Sequence, residues 1–345
     1  MIRNKTLTIQ EGGIRLDAAL LRAFPSSTRA FVREAVERGD VLVASCGEAP
    51  RRAGKGLKLA PGASIVVREL YEACDNLVSP GGACPPPVFE DADLLAFDKP
   101  AGQPVQPLSC RETGTLMNDV VGRYPECRAI REYDRDGRAA NTLMAGALHR
   151  IDADTSGLVL VARNQPTFDA LRAQFADQSV RKTYLALVEG SVAGGGTLEN
   201  DLVHDPTLPF CRMIDAHHNR LTRAQCERLR PLHAVTSFAP LAYTAEGNEE
   251  RTLLEVTIFT GVTHQIRAQL ALAGMHIVND RLYGAFAVEN QTGHCLHALA
   301  TAFAHPKTNG PVEIRTQLPG WALFLSRGRM LKLGPRCGRA DASDS

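Results

Sequence analysis

Nowhere does the chain approach the roughly 18 uninterrupted apolar residues that a membrane span requires. Its first residues, MIRNKTLTIQEGG, contain no apolar core of signal-peptide length. The nine cysteines are odd in number, scattered and never arranged as CxxC, which argues against both a disulfide framework and a zinc site. A cytoplasmic protein from a reducing compartment, with no membrane partner and no metal, is therefore expected. Charge of one sign is also lacking. The 39 Lys and Arg against 38 Asp and Glu leave +1, so a nucleic-acid partner can be argued only from local clustering. Internal repeats are absent too. What remains is an ordinary globular composition, 44% hydrophobic and 22% charged over 345 residues, enough for about two domains.

A first compact unit is expected over residues 13–70. In RLDAALLRAF the apolar Leu16, Leu20 and Phe24 recur at helical spacing, and SSTRAFVREAVERGD places Phe31, Val32 and Val36 after a serine pair and before Gly39. Two short helices follow from these patterns. DVLVAS then alternates as a strand, and LAPGASIVVREL turns at Pro-Gly into another. Ten basic side chains stand against six acidic ones here, a surplus of four. Residues 71–87, YEACDNLVSPGGACPPP, are rich in Pro, Gly and Ser and read as a linker. A second domain is expected over 88–330, and the polar end at 331–345 reads as a tail.

Within the second domain, LLAF runs as a strand into Asp98, Lys99, Pro100 and Gly102, where a lysine before proline reads as a surface turn residue. LVLVA is a continuous buried-strand run, and HRIDADTSG just before it packs an imidazole, a guanidinium, two carboxylates and two hydroxyls into nine positions. Taken alone, Asp154, Thr155 and Ser156 read equally well as turn chemistry. NQPTFDALRAQFADQSV carries Phe168, Leu171 and Phe175 on one helical face, with Pro166 in the first turn. RKTYLALVEG alternates, so that Tyr184, Ala186 and Val188 share one face. In TLLEVTIFTGVTHQIRAQLALAGM a strand breaks at Gly261. Thr263 is placed to cap a helix that ends at Gly274 and carries Arg267 about one turn in. The stretch 190–250, with Arg212, His217, His218 and Arg220, shows no pattern that places it.

Two resemblances follow from these strings. The order helix, helix, strand, basic loop, strand, with RLD at its start and SxxRxxVxxxVxxGDVLV in its middle, resembles the alpha-L RNA-binding module, although VASCGE stands where that family shows VNG. It implies RNA contacts from Arg15, Arg29, Arg33, Arg51, Arg52 and Lys55. EDADLLAFDKPAG, HRIDADTSGLVLVAR, KTYLALVEG, TGVTHQIRAQLALAGMHIVNDRLYG and LHALATAFAHP, in this order, resemble the RluA-type pseudouridine synthases. That resemblance implies an α+β catalytic domain on a mixed, largely antiparallel sheet, acting as a monomer on RNA, most of all large-subunit ribosomal RNA, without cofactor. It implies catalytic roles for Asp152, Tyr184 and Arg267, with His149, Arg150, Thr155, His264 and Gln265 around the substrate. Val262 departs from the pattern where the family has arginine, as do Ala268 and Gln269 where it has VHL.

The implied reaction cuts the bond from ribose to the uracil ring nitrogen, turns the base and rejoins it through carbon five. It requires an ionised carboxylate beside the glycosidic carbon, which an adjacent guanidinium would keep charged and aimed. It also requires a ring to stack on the base drawn out of the RNA. Asp152, Arg267 and Tyr184 answer these needs, and three routes stay open to Asp152: attack on the sugar, attack on the ring, or removal of a ribose proton. Other readings are a synthase acting on tRNA, a non-catalytic ribosome assembly factor, and a hydrolase using Asp152, His149 and Ser156. The intact trio speaks against the assembly factor, and the missing GxSxG elbow against the hydrolase.

Overall fold

The computed structural model describes residues 2–10, 12–45, 47–54, 56–72, 84–108, 112–133, 139–140, 142–208, 211–217, 221–246, 249–285 and 293–322. Lys55, His218, Arg220, most of the expected linker and the expected tail lie outside the described residues. The chain forms two compact units. One comprises the described residues of Met1–Ala153, Val159–Ala173 and Pro306–Asn309, and the other those of Asp154–Leu158, Gln174–His305 and Gly310–Ser345.

The first unit begins with a strand that the sequence reading did not assign, β1 (Ile2–Thr8), followed by α1 (Leu16–Ala23), α2 (Arg29–Arg38), β2 (Val41–Ala44), β3 (Arg51–Arg52) and β4 (Ser64–Leu70). The strands form an antiparallel sheet in the order β1-β4-β2-β3. Val41 lies opposite Val67 and Val43 opposite Ile65, so period-two alternation aims these four side chains at one face. Leu16 and Leu20 of α1, with Phe31, Val32 and Ala35 of α2, belong to the same core. Helix α2 starts where the Thr28 hydroxyl accepts from the Phe31 N–H at 3.2 Å; the adjacent Ser27 instead donates to the Tyr71 carbonyl. It stops at Gly39, whose φ of +83° is a left-handed conformation that glycine adopts without a Cβ clash.

Next come β5 (Phe89–Glu90) and β6 (Leu94–Lys99), paired antiparallel, then α3 (Leu116–Arg123) behind a reciprocal Thr115/Asn118 capping box. A short pair, β7 (Glu132–Tyr133) and β8 (Ala139–Ala140), follows. Strand β9 (Ser156–Ala162) is buried from Gly157 onward, and α4 (Gln165–Ala176) starts where the Asn164 side chain accepts from the Thr167 N–H. Phe97 packs edge-on against Tyr124, with ring centroids 6.2 Å apart.

The second unit contains β10 (Arg181–Glu189), β11 (Gly196–His204), β12 (Met213–Asp215), α5 (Arg223–Leu229), β13 (Leu232–Glu246), β14 (Glu249–Ile258), α6 (Gln265–Leu272), β15 (Leu296–Ala304) and β16 (Pro311–Arg315). Strands run in the order β12-β11-β13-β14-β10-β15, with β16 on β15, and every one of these pairings is antiparallel. The start of β9 joins β15 in parallel register, Ser156 opposite His297 and Gly157 opposite Ala298. A mixed, largely antiparallel α+β fold is the result. The stretch the sequence could not place becomes β11, β12, α5 and β13. At Gly157 a Cβ would lie 2.2 Å from the Ala298 carbonyl oxygen, so the parallel approach of the two strands requires glycine.

Six consecutive residues at the start of α6 are buried, and the polar ones must therefore find partners. The Gln269 amide accepts from the Thr236 hydroxyl at 2.7 Å and donates to Leu198, Asn200 and Ala234 oxygens, which ties the helix to β11 and β13. The cap of α6 is His264, at φ +52° and with no side-chain bond to the helix's own N–H groups, rather than Thr263. Among the described residues no helix is long and apolar enough to cross a membrane, and no group of three His, Cys, Asp or Glu is arranged to hold a metal ion.

Candidate active site

In the first unit, strand alternation puts Leu95, Phe97 and Lys99 in phase, and all three are buried. Lys99 is fully buried, which corrects its reading as a surface turn residue. Its ammonium donates to the carbonyls of Pro100 and Ala153, each at 2.8 Å, and the Gly102 N–H donates to the same Ala153 oxygen at 2.8 Å. The residue directly after Asp152 is thus pinned by a buried cation and a backbone amide. Three positions earlier, His149 Nε2 accepts from the Leu160 N–H at 3.1 Å, so that nitrogen is unprotonated and the ring is neutral. Asp152 is half-buried between these anchors, whereas Arg150 is exposed.

In the second unit the next residues of the same segment are held by two buried imidazoles. Thr155 Oγ1 lies 2.7 Å from His294 Nε2, and Ser156 Oγ lies 2.8 Å from His297 Nδ1. The Thr316 hydroxyl donates toward the Ala298 and Leu299 carbonyls and so accepts from His297 Nε2–H. His297 Nδ1 is left as the acceptor for Ser156, and burial pushes the imidazole pKa down to about 4. Asp154 is exposed, as a turn residue would be.

Tyr184 is 8% exposed in β10, opposite Val256 on β14 and Ala298 on β15, at an irregularity in the pairing with β15. The strand is buried on both faces. On α6, Arg267 is buried and forms a two-pronged pair with Asp280, Nε to Oδ2 at 2.7 Å and Nη2 to Oδ1 at 2.8 Å. Its guanidinium carbon lies 5.2 Å from the centre of the Tyr283 ring. The Tyr283 hydroxyl accepts from the Met213 N–H at 2.8 Å and lies 3.1 Å from His264 Nδ1. Burial pushes this phenol up to about 12, so it stays protonated at neutral pH. Gln265 is turned inward: its amide accepts from the Thr260 hydroxyl and Val262 N–H and donates to the Val235 carbonyl and Thr236 hydroxyl. That geometry gives it a scaffolding role in the turn ahead of Arg267.

Arg15, Arg29 and Arg33 line one cleft of about 400 Å³ in the first unit, together with Leu16 and Val32. Arg29 and Arg33 are one helical turn apart on α2. Arg51 is exposed on β3, while Arg52 donates to the Arg38 carbonyl at 2.7 Å and so caps the C-terminal end of α2. Lys99, Asp280, Tyr283, His294 and His297 were missed from sequence. Only Lys99 carried a local signal, its phase with Leu95 and Phe97.

Comparison with known proteins adds the following. Residues 93–272 match the RNA pseudouridylate synthase family. The chain is 29% identical over 332 residues to the ribosomal large subunit pseudouridine synthase D of Xanthomonas campestris pv. campestris, covering 92% of this chain and 89% of that one. It is 33% identical over 306 residues to an uncharacterized RNA pseudouridine synthase of Chloroflexus aurantiacus, covering 88% and 86%. Among solved structures, human RNA pseudouridylate synthase domain containing 1 shares the fold, with a TM-score of 0.51 at 22% identity, over 68% of this chain and 86% of that one.

Proposed function

The chain belongs to the RNA pseudouridylate synthase family, and on that premise we propose that it acts in the cytoplasm on large-subunit ribosomal RNA, with Asp152 as the catalytic carboxylate. The reaction is an isomerisation of uridine in RNA. The ribose–nitrogen bond breaks, the uracil turns, a ribose–carbon bond forms at C5, the hydrogen at C5 leaves, and the freed ring nitrogen takes a proton. Asp152 acts as the nucleophile that carries the separated fragment between the two bonds. Tyr184 offers an aromatic ring to the base drawn out of the RNA stack, and Arg267 supplies positive charge to the carboxylate chemistry.

The observation that carries this reading is the anchoring of the segment around Asp152. His149, the Ala153 carbonyl, Thr155 and Ser156 are each held by a named partner, and a reactive carboxylate needs that fixed aim. The ribosomal assignment draws on relatives whose names state that substrate. Mapping pseudouridine in RNA from cells with and without the gene tests it. Loss of one or a few sites in large-subunit ribosomal RNA is expected. Loss confined to tRNA would replace the substrate, and an unchanged map in all RNA would refute the assignment.

The arginine cleft of the first unit is proposed as a phosphate-contacting face. Replacing both Arg29 and Arg33 by glutamine should weaken RNA binding and flatten the dependence of log affinity on log salt by about 1.4, at about 0.7 per single-strand phosphate. The fold should persist, because both side chains are exposed. An unchanged slope would exclude this face from RNA contact.

A further inference from the structure

Arg212 stands directly before β12, in the stretch that sequence patterning could not place. Its guanidinium carbon lies 5.8 Å from the centre of the Tyr283 ring, the ring that Arg267 also approaches at 5.2 Å. The two arginines are not in equal positions. Arg267 has its charge matched by the fork to Asp280. The Nε of Arg212 is buried with no hydrogen-bond partner among the described residues. Asp215, three positions on, accepts from the Asn200 amide and the His217 N–H, each at 2.7 Å, and Asp205 is engaged by the Thr207 hydroxyl at 2.6 Å and the Thr207 N–H at 2.9 Å. The Thr207 bonds hold the Asp205 carboxyl below its usual range, with only a smaller contribution from the Arg212 charge.

A guanidinium laid on a ring spends its face on the stacking contact and keeps its edge of N–H donors for something else. Five donors with an orphaned Nε call for a bidentate acceptor. Close by, Val262 packs into the apolar cluster that includes Tyr283, Met213 and Leu202, so the position where the family resemblance expects arginine supplies no charge.

We infer that Arg212 binds a backbone phosphate of the RNA, delivering from the position just before β12 the guanidinium that Val262 does not provide beside Arg267. The Tyr283 ring positions it, and Met213, the next residue, fixes that ring through its N–H to the phenol oxygen. This inference rests on the RNA-modifying function proposed above and names one group through which that substrate is held.

The test compares the full-length protein with Arg212→Met, Arg212→Gln and Arg212→Lys on an unmodified transcript of large-subunit ribosomal RNA. Affinity is read at several salt concentrations, and KM and kcat from initial rates. Met and Gln are expected to weaken binding about tenfold and to lower the slope of log affinity against log salt by about 0.7 to 1. The loss should appear in KM rather than kcat, and Lys should restore most of the slope because the charge returns. Should Met disturb folding, Gln and Lys carry the comparison, judged by melting temperatures matching wild type. An unchanged slope in Gln, or a fall in kcat at unchanged affinity, overturns the inference. A flattened slope in a preparation whose wild type forms no pseudouridine would uphold the phosphate contact while the proposed function falls, so the two failures are distinct.

Discussion

Asp152→Asn is expected to abolish pseudouridine formation while leaving RNA binding intact. The substitution keeps side-chain volume and removes only the ionised oxygen, and loss of a catalytic nucleophile typically costs on the order of 10⁴-fold or more in turnover. The anchors on either side of it, Lys99 on the Ala153 carbonyl and the Leu160 N–H on His149, do not involve the Asp152 carboxylate. RNA affinity should therefore stay near wild type. Asp154→Asn serves as the companion: this residue is exposed on the turn, and its activity should stay within about threefold, since surface substitutions of this kind usually move stability by under about 0.5 kcal/mol. Turnover by Asp152→Asn within tenfold of wild type would remove this aspartate from the chemistry.

The second large effect is expected at Arg267. Asp280, its partner in the two-pronged pair, is 2% exposed, so Arg267→Met leaves a carboxylate buried without its cation. Breaking such a pair costs about 3 to 5 kcal/mol. Arg267→Lys keeps the charge but loses the planar fork and the stacking on Tyr283, so it should fall between wild type and Met in both stability and turnover. Asp280→Asn in the Met background should recover part of the lost stability, because the buried carboxylate left without its cation is then neutral. A thermal-melt double-mutant cycle reads this coupling. Additive losses at the two positions would mean that the pair contributes nothing as a pair.

The sequence exposed those parts of the fold that local pattern determines. Helix α2 lies where Phe31, Val32 and the Gly39 stop put it, β9 where LVLVA runs, and the loop before it collects the polar residues of HRIDADTSG. Strand β1 escaped notice because IRNKTLT is mostly polar and becomes a strand only through pairing with β4, more than fifty residues away. The same holds for β11 to β13, whose burial comes from α6 and from neighbouring strands rather than from their own alternation. In the site, reactive residue types were legible but their partners were not. A buried lysine, a buried aspartate and two buried histidines are tolerable only beside particular groups, and those groups come from distant segments: Ala153 for Lys99, Asp280 for Arg267, Thr155 and Ser156 for His294 and His297. Arg267 reads from sequence as the partner of the catalytic carboxylate, and the structure adds its fork to Asp280, which no local pattern marks.

The hydrogen on C5 of uracil must leave whenever the base is rejoined through that carbon, so tritium placed there reports the reaction itself, independently of binding. An unmodified large-subunit ribosomal RNA transcript carrying uridine tritiated at C5 should release tritium to water when incubated with the wild-type protein. Release should reach a plateau equal to a small whole number of sites per transcript and be absent with Asp152→Asn. No release above background from wild type on this transcript or on tRNA, or equal release from wild type and Asp152→Asn, would contradict the assignment of a pseudouridine synthase working through Asp152.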